Sequence, residues 1–406
     1  MTALRDDLEC PPEKRRLGTG WLAGVVGLAL SLLGLGAVLC LRYPWLLTMS
    51  DARAHYPVDW VRYATLAVLA GGFAAGLLSL ALRGWKPLGV TAITAALAAT
   101  LLGGAGAEHT AGPETWKWSV GLDWFLLNLT FTGLLFIPLE RLFGRQKDPL
   151  PTFRAEWRED LFYLLISSLL VQALAFLSLS PVFRLRDWTM EFGFWTELRG
   201  WIAAQPAILQ FLEIMFLTDL VQYWVHRAFH QYPWLWRFHA VHHSAETLDW
   251  LAGSRMHLCE VVALRGLTVV PMYLLGFGEG PLYAYLFFVY LFSTLVHSNL
   301  RANRPWLRTP AMMKFWAIWE RLIVTPRFHH WHHGKEAAAI DKNFAVHFPI
   351  LDRLFGTHHL PAGEGPHDDG AWPQETGVEG DDPPPKTFTG QFAYPFRRPR
   401  PATPSR

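Results

Sequence analysis

The sequence predicts an all-α protein, a polytopic bundle of membrane helices, and three observations predict it. Charged residues make up 17% of the 406, against about 25% in an average soluble domain, while 51% are hydrophobic. The run from Trp21 to Leu41 is 21 residues long and has no charge, too long for the roughly 7–15 apolar residues of a signal peptide, so it reads as a retained membrane helix. Apolar runs of similar length then recur through the first 300 residues.

In chain order these runs cover 62–82, 87–106, 119–139, 160–179 and 206–226, followed by two shorter stretches at 261–278 and 281–298 that form a hairpin broken between Gly276 and Pro281. Alanine and glycine dilute the run at 87–106, and Asp123 interrupts the one at 119–139. Gly71, Gly72, Ala75 and Gly76 give the second span a small-residue face of the kind that lets helices associate in lipid. Basic residues beside spans mark the cytoplasmic side. Lys14, Arg15 and Arg16 place the N-terminus inside, and Arg83 with Lys86, then Arg141, Arg145, Lys147, Arg154 and Arg158, return to that side every second crossing. With eight spans, the segments after 226 and after 298 both emerge into the cytoplasm.

Three segments follow. Residues 1–150 hold spans but no histidine cluster, His55 and His109 standing alone in loops; residues 151–360 hold the chemistry; residues 361–406 form a tail rich in proline and glycine that reads as mobile, with Pro383 to Pro385 and a basic aromatic end from Tyr394 to Arg400. Everything the chemistry needs is expected after about residue 155. Cys10, Cys40 and Cys259 form no CxxC and are too few for an iron–sulfur cluster within one chain. The net charge of +2, with basic residues scattered, supplies no stripe for nucleic acid.

Histidine is the informative residue: 14 of 17 lie between His226 and His359. His226 and His230, four apart at the end of a span, project from one helical face. His239, His242 and His243 follow at i, i+3, i+4, and the spacing returns as His329, His332 and His333. Isolated copies of such motifs can be solvated helix faces. Three clusters at span ends are not explained that way, because protonated imidazoles crowded together would repel, and metal resolves the conflict. Neutral imidazole suits iron, zinc, copper or nickel, and eight of them exceed what one ion can take, so two ions are implied.

These stretches resemble the sterol desaturase and fatty acid hydroxylase superfamily of membrane di-iron enzymes. The matching segments are Asp219 to His230 (DLVQYWVHRAFH), His239 to Ser244 (HAVHHS), His297 to Asn299 (HSN), Thr325 to His333 (TPRFHHWHH), Asp341 to Phe344 (DKNF) and Leu351 to Thr357 (LDRLFGT), within roughly residues 155–360. The resemblance implies membrane helices under a cytosolic helical cap that holds two irons, with zinc a possible substitute on overexpression. It implies metal ligation by the eight box histidines and by His297, at the end of the last span. His257, in Arg255-Met256-His257, matches a further stretch with Leu258 where a proline is common, and is placed behind the ligands. Phe344 stands where a tyrosine is frequent. His330, His347, His358 and His359 are expected at the surface.

Metal-bound histidines donate their second N–H to a carboxylate or carbonyl. Asp219, seven residues before His226 on the same helix face, is the leading candidate, followed by Glu246, Asp249 and Glu260. Asp219 and Asn299 are taken as the catalytic pair.

The function implied is an O2-dependent di-iron oxidoreductase that hydroxylates or desaturates a C–H bond of a lipid such as a sterol or fatty acyl lipid. No GxGxxG after a strand, P-loop or fused haem domain is evident, so a separate ferredoxin or cytochrome b5-like donor is implied. A haem-binding membrane electron-transfer protein would instead need histidines within the spans. An inactive lipid-binding scaffold of the same fold is disfavoured by boxes in which no ligand position is replaced, and a zinc hydrolase by the number of imidazoles.

Overall fold

A computed structural model of the protein describes residues 2–15, 18–84, 86–113, 118–144, 151, 153–301, 309–362, 371–380 and 382–398. Arg16, Arg145, Lys147, Pro399 and Arg400, named above, lie outside them. Among the described residues there is no β-strand. Seven helices are long and apolar enough to cross a membrane, or eight if one bent pair counts as a span.

The chain divides into two compact units, Met1–Phe131 with Pro151–Phe153 and Ser168–Gln172, and Thr132–Leu150 with Arg154–Ser167 and Ala173–Arg406. In the first, α1 (Trp21–Arg42), α2 (Val58–Arg83) and α3 (Pro87–Leu101) pack together. Their backbones approach closely because glycine lines the seam. A Cβ on Gly27 would lie 2.8 Å from the Gly76 nitrogen, and one on Gly72 2.8 Å from that of Ser31. Helix α4 (Leu122–Phe143) opens with Asp123, the charge that interrupts the fourth run. Its carboxylate accepts from Tyr56 Oη at 2.7 Å and from the Met49 N–H at 3.0 Å, which satisfies it at the end of the span.

The run read as one span over 160–179 is two helices, α5 (Trp157–Leu169) and α6 (Val171–Thr189), bent by 62°. The Leu169 carbonyl is drawn to the N–H of Gly121 at 3.2 Å, and Gln172 accepts from the Ser119 N–H at 2.8 Å. Polar partners beside the break therefore compensate for the lost helical ladder.

The second unit holds every histidine cluster. After α7 (Gly193–Ala203), which the sequence reading does not anticipate, α8 (Ala207–Gln231) carries the span at 206–226 a turn further, and Pro233 then starts α9 (Pro233–His243). The apolar hairpin is α10 (Leu258–Thr268) with α11 (Val270–Leu275), then α12 (Glu279–His297); Gly276, at φ 75°, makes the left-handed stop between them. Helices α13 (Pro310–Leu322), α14 (Pro326–His332) and α15 (Ile350–Leu354) complete the histidine-bearing part.

The described part of the tail is packed, contrary to its composition. Residues 371–380 run beside the third box: Gly377 N–H donates to the His333 carbonyl at 3.2 Å and Lys335 N–H to that of Glu375 at 3.1 Å. Helix α16 (Phe388–Ala393) stacks Phe392 on His257 at 5.2 Å, and Arg237 lies 4.4 Å over the ring of Tyr394. Aromatic residues spaced through a proline-rich segment anchor it where overall polarity suggests motion.

Candidate metal centre

Local sequence explains how each imidazole is presented. His226 and His230 occupy the last turns of α8, and His297 is the final residue of α12. Pro326 and the Thr325 side chain, which accepts from the Phe328 N–H at 3.3 Å, start α14 just before His329. The nine histidines expected as ligands gather into two nests, His226, His230, His239, His243 and His332 in one, His242, His297, His329 and His333 in the other. Within each, the candidate ligand atoms lie within 4.8 Å of one another.

Each HxxHH box is divided between the nests. His239 and His243, one turn apart, enter the first nest while His242 turns to the second; His329 and His333 enter the second while His332 turns to the first. The nests thus share two helices, and the rings of His243 and His333 stack across them at 4.4 Å.

Hydrogen bonding tests whether a cation fits. Nδ1 donates to the Phe344 carbonyl from His226 (2.9 Å), to that of Arg255 from His242 (2.9 Å), to that of Ser293 from His297 (2.7 Å) and to that of Lys342 from His332 (2.8 Å). Nδ1 of His239 lies 2.5 Å from Glu260 Oε1, and that of His230 3.3 Å from Asp341 Oδ1. A neutral imidazole protonated at Nδ1 presents a bare lone pair at Nε2. Yet the Nε2 atoms of His226 and His239 are 2.9 Å apart, and those of His297 and His242 are 3.1 Å apart. Lone pair faces lone pair in both. The spacing matches two ligands at right angles on one ion, about 3.0 Å for bonds of about 2.1 Å. Nε2 of His230 and Nδ1 of His333 are buried without a hydrogen-bond partner among the described residues. The donor set fits one metal ion in each nest.

Burial first, then the neighbouring imidazoles, hold His239, His242, His243, His329, His332 and His333 well below the ordinary histidine range. All six are neutral at pH 7, the form that ligates metal.

The other candidate residues fall in three places. Glu260 is buried against His239. His257 caps α10 and reaches the Phe392 carbonyl at 3.1 Å, so its partner is the tail. Glu246 is exposed and pairs with Lys386 at 2.9 Å. Asp249 accepts from Arg154 at 2.7 Å in a buried charge cluster, where Arg154 and Arg255 both donate to Asp160. Asp219 takes the N–H groups of Val346 and Phe348 at 2.8 and 2.7 Å, and the Asn299 N–H donates to Glu140 at 2.8 Å. Neither side chain of the expected catalytic pair makes a described contact with a box histidine: that of Asp219 holds backbone N–H groups, and that of Asn299 accepts from Arg301 at 3.4 Å.

His330 and His347, expected at the surface, are buried. His330 donates toward the carbonyls of His297 and Ser298, and His347 is stacked among Phe288 and Phe292. Sequence reasoning did not assign Glu140, Asp160, Asp341 or Asp352. The last two lie inside quoted motif stretches, and a carboxylate within a span such as Glu140 is itself a signal.

Membrane-length helices together with two histidine nests able to hold metal define the class, a multi-pass membrane protein with a candidate metal centre, and the comparisons show what it is similar to. Residues 211–357, which contain all nine histidines, match the family model for fatty acid hydroxylase. The chain is similar to an ornithine lipid hydroxylase of Rhizobium tropici, 31% identical over 49% of this chain and 54% of the relative. It is also similar to an alkylglycerol monooxygenase of Danio rerio, 31% identical over 39% of this chain and 31% of the relative. A putative methylsterol monooxygenase of Dictyostelium discoideum is 27% identical over 51% of this chain and 70% of the relative. The chain thus spans about half the length of the first of these relatives and about a third of the second. No solved structure matches the chain.

Proposed function

We propose that the protein is an O2-dependent di-iron monooxygenase of the membrane that hydroxylates a C–H bond of an amphiphilic lipid. The observation that carries this reading is the pair of nests, five and four neutral imidazoles whose bare nitrogens face one another. The relatives, named for hydroxylation or monooxygenation of an ornithine lipid, an alkylglycerol and a methylsterol, support hydroxylation over desaturation and a lipid over a soluble substrate.

Bound iron would supply O2 activation and an oxidant strong enough for an unactivated C–H bond. The overall balance is RH + O2 + 2 electrons + 2 protons to ROH + H2O. His226, His230, His239, His243 and His332 would hold one ion, and His242, His297, His329 and His333 the other. Glu260 and the carbonyls of Arg255, Ser293, Lys342 and Phe344 keep Nδ1 protonated and the rings aimed. Phe344 packs its buried ring on His226, His230 and His332 of the first nest at 5.6, 5.0 and 5.9 Å, and Phe328 and Tyr223 belong to the same buried cluster, an apolar side that excludes water. The electrons come from a separate one-electron carrier, a ferredoxin or cytochrome b5-like protein, on the cytoplasmic side to which the positive residues assign the nests.

Two measurements test this. Purified protein should hold two metal ions per chain, and His332→Ala should lose metal and activity together. Lipid extracts of cells with and without the protein, compared by mass spectrometry, should differ by a lipid heavier by one oxygen. One ion per chain, full activity in His332→Ala, or a product only two hydrogens lighter would each overturn part of the reading.

A further inference from the structure

The segment 341–348 lies between the first nest and two buried carboxylates. On one side it faces three of that nest's five histidines: Asp341 Oδ1 reaches His230, the Lys342 carbonyl takes His332, and the Phe344 carbonyl takes His226. The described contacts give it no such bond to His242, His297, His329 or His333. The turn that makes this possible is strained, because Asp341 and Asn343 sit at φ 57° and 60°, where non-glycine residues are uncommon. Asn343 is locked there, its side chain donating to the Phe328 and His359 carbonyls at 3.0 and 2.7 Å.

The other side of the segment is held by its N–H groups. Asp352, buried and on α15, accepts from Phe344 N–H at 2.8 Å and Ala345 N–H at 2.9 Å. Asp219, buried on α8, accepts from Val346 and Phe348 N–H. Thr357 Oγ1 donates to Asp352 at 2.6 Å and lies 2.8 Å from Tyr223 Oη, which ties the carboxylate back to α8. Phe344 is thus fixed at both ends of its peptide: its nitrogen to Asp352, its carbonyl to His226.

We infer that Asp352 is a positioning residue for one ion of the pair, governing occupancy of the nest of His226, His230, His239, His243 and His332 and not that of the other nest. The inference rests on the two-ion reading. The second nest has separate supports, the Arg255 carbonyl on His242 and the Ser293 carbonyl on His297. A carboxylate can accept two N–H groups at once. An asparagine there keeps one acceptor and turns an NH2 toward the second N–H, so the segment must shift and carry the Phe344 and Lys342 carbonyls with it.

The test is metal content in the full chain. Wild-type protein should hold two ions and Asp352→Asn about one. Adding His332→Ala to Asp352→Asn should leave the count near one, since both act on the same nest, whereas adding His329→Ala should take it toward zero. Two ions retained in Asp352→Asn, or both lost together, overturn the inference while leaving the two-ion reading intact; fewer than two in the wild type defeats that reading instead. If Asp352→Asn does not fold, Thr357→Val removes only the hydroxyl behind the carboxylate. Chelator should then extract one of its two ions about tenfold faster than from wild type, the lower end of the 10- to 100-fold expected for the partner of a ligand. Equal acceleration of both ions, or of neither, overturns it.

Discussion

Glu260 and His239 meet at 2.5 Å, a fully buried carboxylate against the Nδ1 of an imidazole whose Nε2 is shared between His226 and His243. It is the one described acid in hydrogen-bond contact with the first nest from inside a span, and it fixes both the tautomer and the ring direction. Glu260→Gln keeps an acceptor for Nδ1 but replaces the ionisable carboxyl by a weaker amide acceptor, so metal affinity should fall about tenfold. Glu260→Ala removes the acceptor as well and should cost about a hundredfold. Competition with a chelator measures the two, and equal affinities in wild type and Glu260→Ala would show that the contact is only packing.

Asp160 makes a prediction about stability. Arg154 and Arg255 both donate to it with essentially no exposure; burial works against their charge, and the neighbouring carboxylates Asp160, Asp249 and Glu156 outweigh it and hold both guanidiniums charged. Asp160→Asn leaves two buried cations short of a counter-charge, a loss of about 3–5 kcal/mol. The Arg255 carbonyl that orients His242 should shift with it. Thermal unfolding in detergent would read the loss, and a change under about 1 kcal/mol would mean that water reaches the cluster.

Acid should undo the centre in a defined window. The six box histidines outside the spans have folded-state values depressed by burial and by one another, while an unfolded chain protonates them at about 6.5. The unfolded state therefore binds more protons below that pH, so their contribution is intact above about pH 6.5 and is lost as pH falls beneath it. Metal-free protein should lose thermal stability from about pH 6.5 downward, and loaded protein should release metal over the same fall with more than one proton taken up per ion. Stability unchanged between pH 7 and 5 would contradict neutral, buried imidazoles.

The side of the membrane can be read at Ala338, exposed five residues beyond His333. In a chain without its own cysteines, Ala338→Cys should resist an impermeant thiol reagent in intact cells and react once the membrane is opened. Reaction in intact cells would reverse the orientation and exclude a cytoplasmic electron donor.

Much of this was legible in the sequence because it follows from period and length. Apolar runs gave the long helices to within a few residues, the bent pair over 160–179 excepted, and the i, i+3, i+4 spacing gave the histidines a common destination. Spacing does not say that His242 and His243 part company. That division follows from how α9 meets α12 and α14, a long-range relation. The supports were harder to see because four of the six are backbone carbonyls, at Arg255, Ser293, Lys342 and Phe344, which carry no side-chain signature. Asp219 shows the converse. Its helical phase relative to His226 suggested a partner for that ring, but its carboxylate is taken by two N–H groups of a loop more than a hundred residues later.

Glu140 bears on how much chain the centre needs. It belongs to α4, yet its Oε1 accepts from the Trp250 N–H at 2.9 Å and from the Asn299 N–H at 2.8 Å, pinning the segment after the second box and the residue two beyond His297. The expectation that all the chemistry requires lies after about residue 155 omits this carboxylate. A chain that begins at Pro149 lacks Glu140, whereas one that begins at Thr132, where the second compact unit starts, keeps it. The longer fragment should retain both metal ions. The shorter one leaves two N–H groups beside the nests without their acceptor, at about 1–3 kcal/mol each if buried, and should bind the second ion, held by His242 and His297, more weakly. Glu140→Ala in the full chain separates loss of the carboxylate from loss of the helix and should reproduce that weakening. Iron content of the three proteins, each checked for a monodisperse folded state, decides between the alternatives. Full occupancy in the Pro149 fragment would show that Glu140 holds the loops without serving the centre.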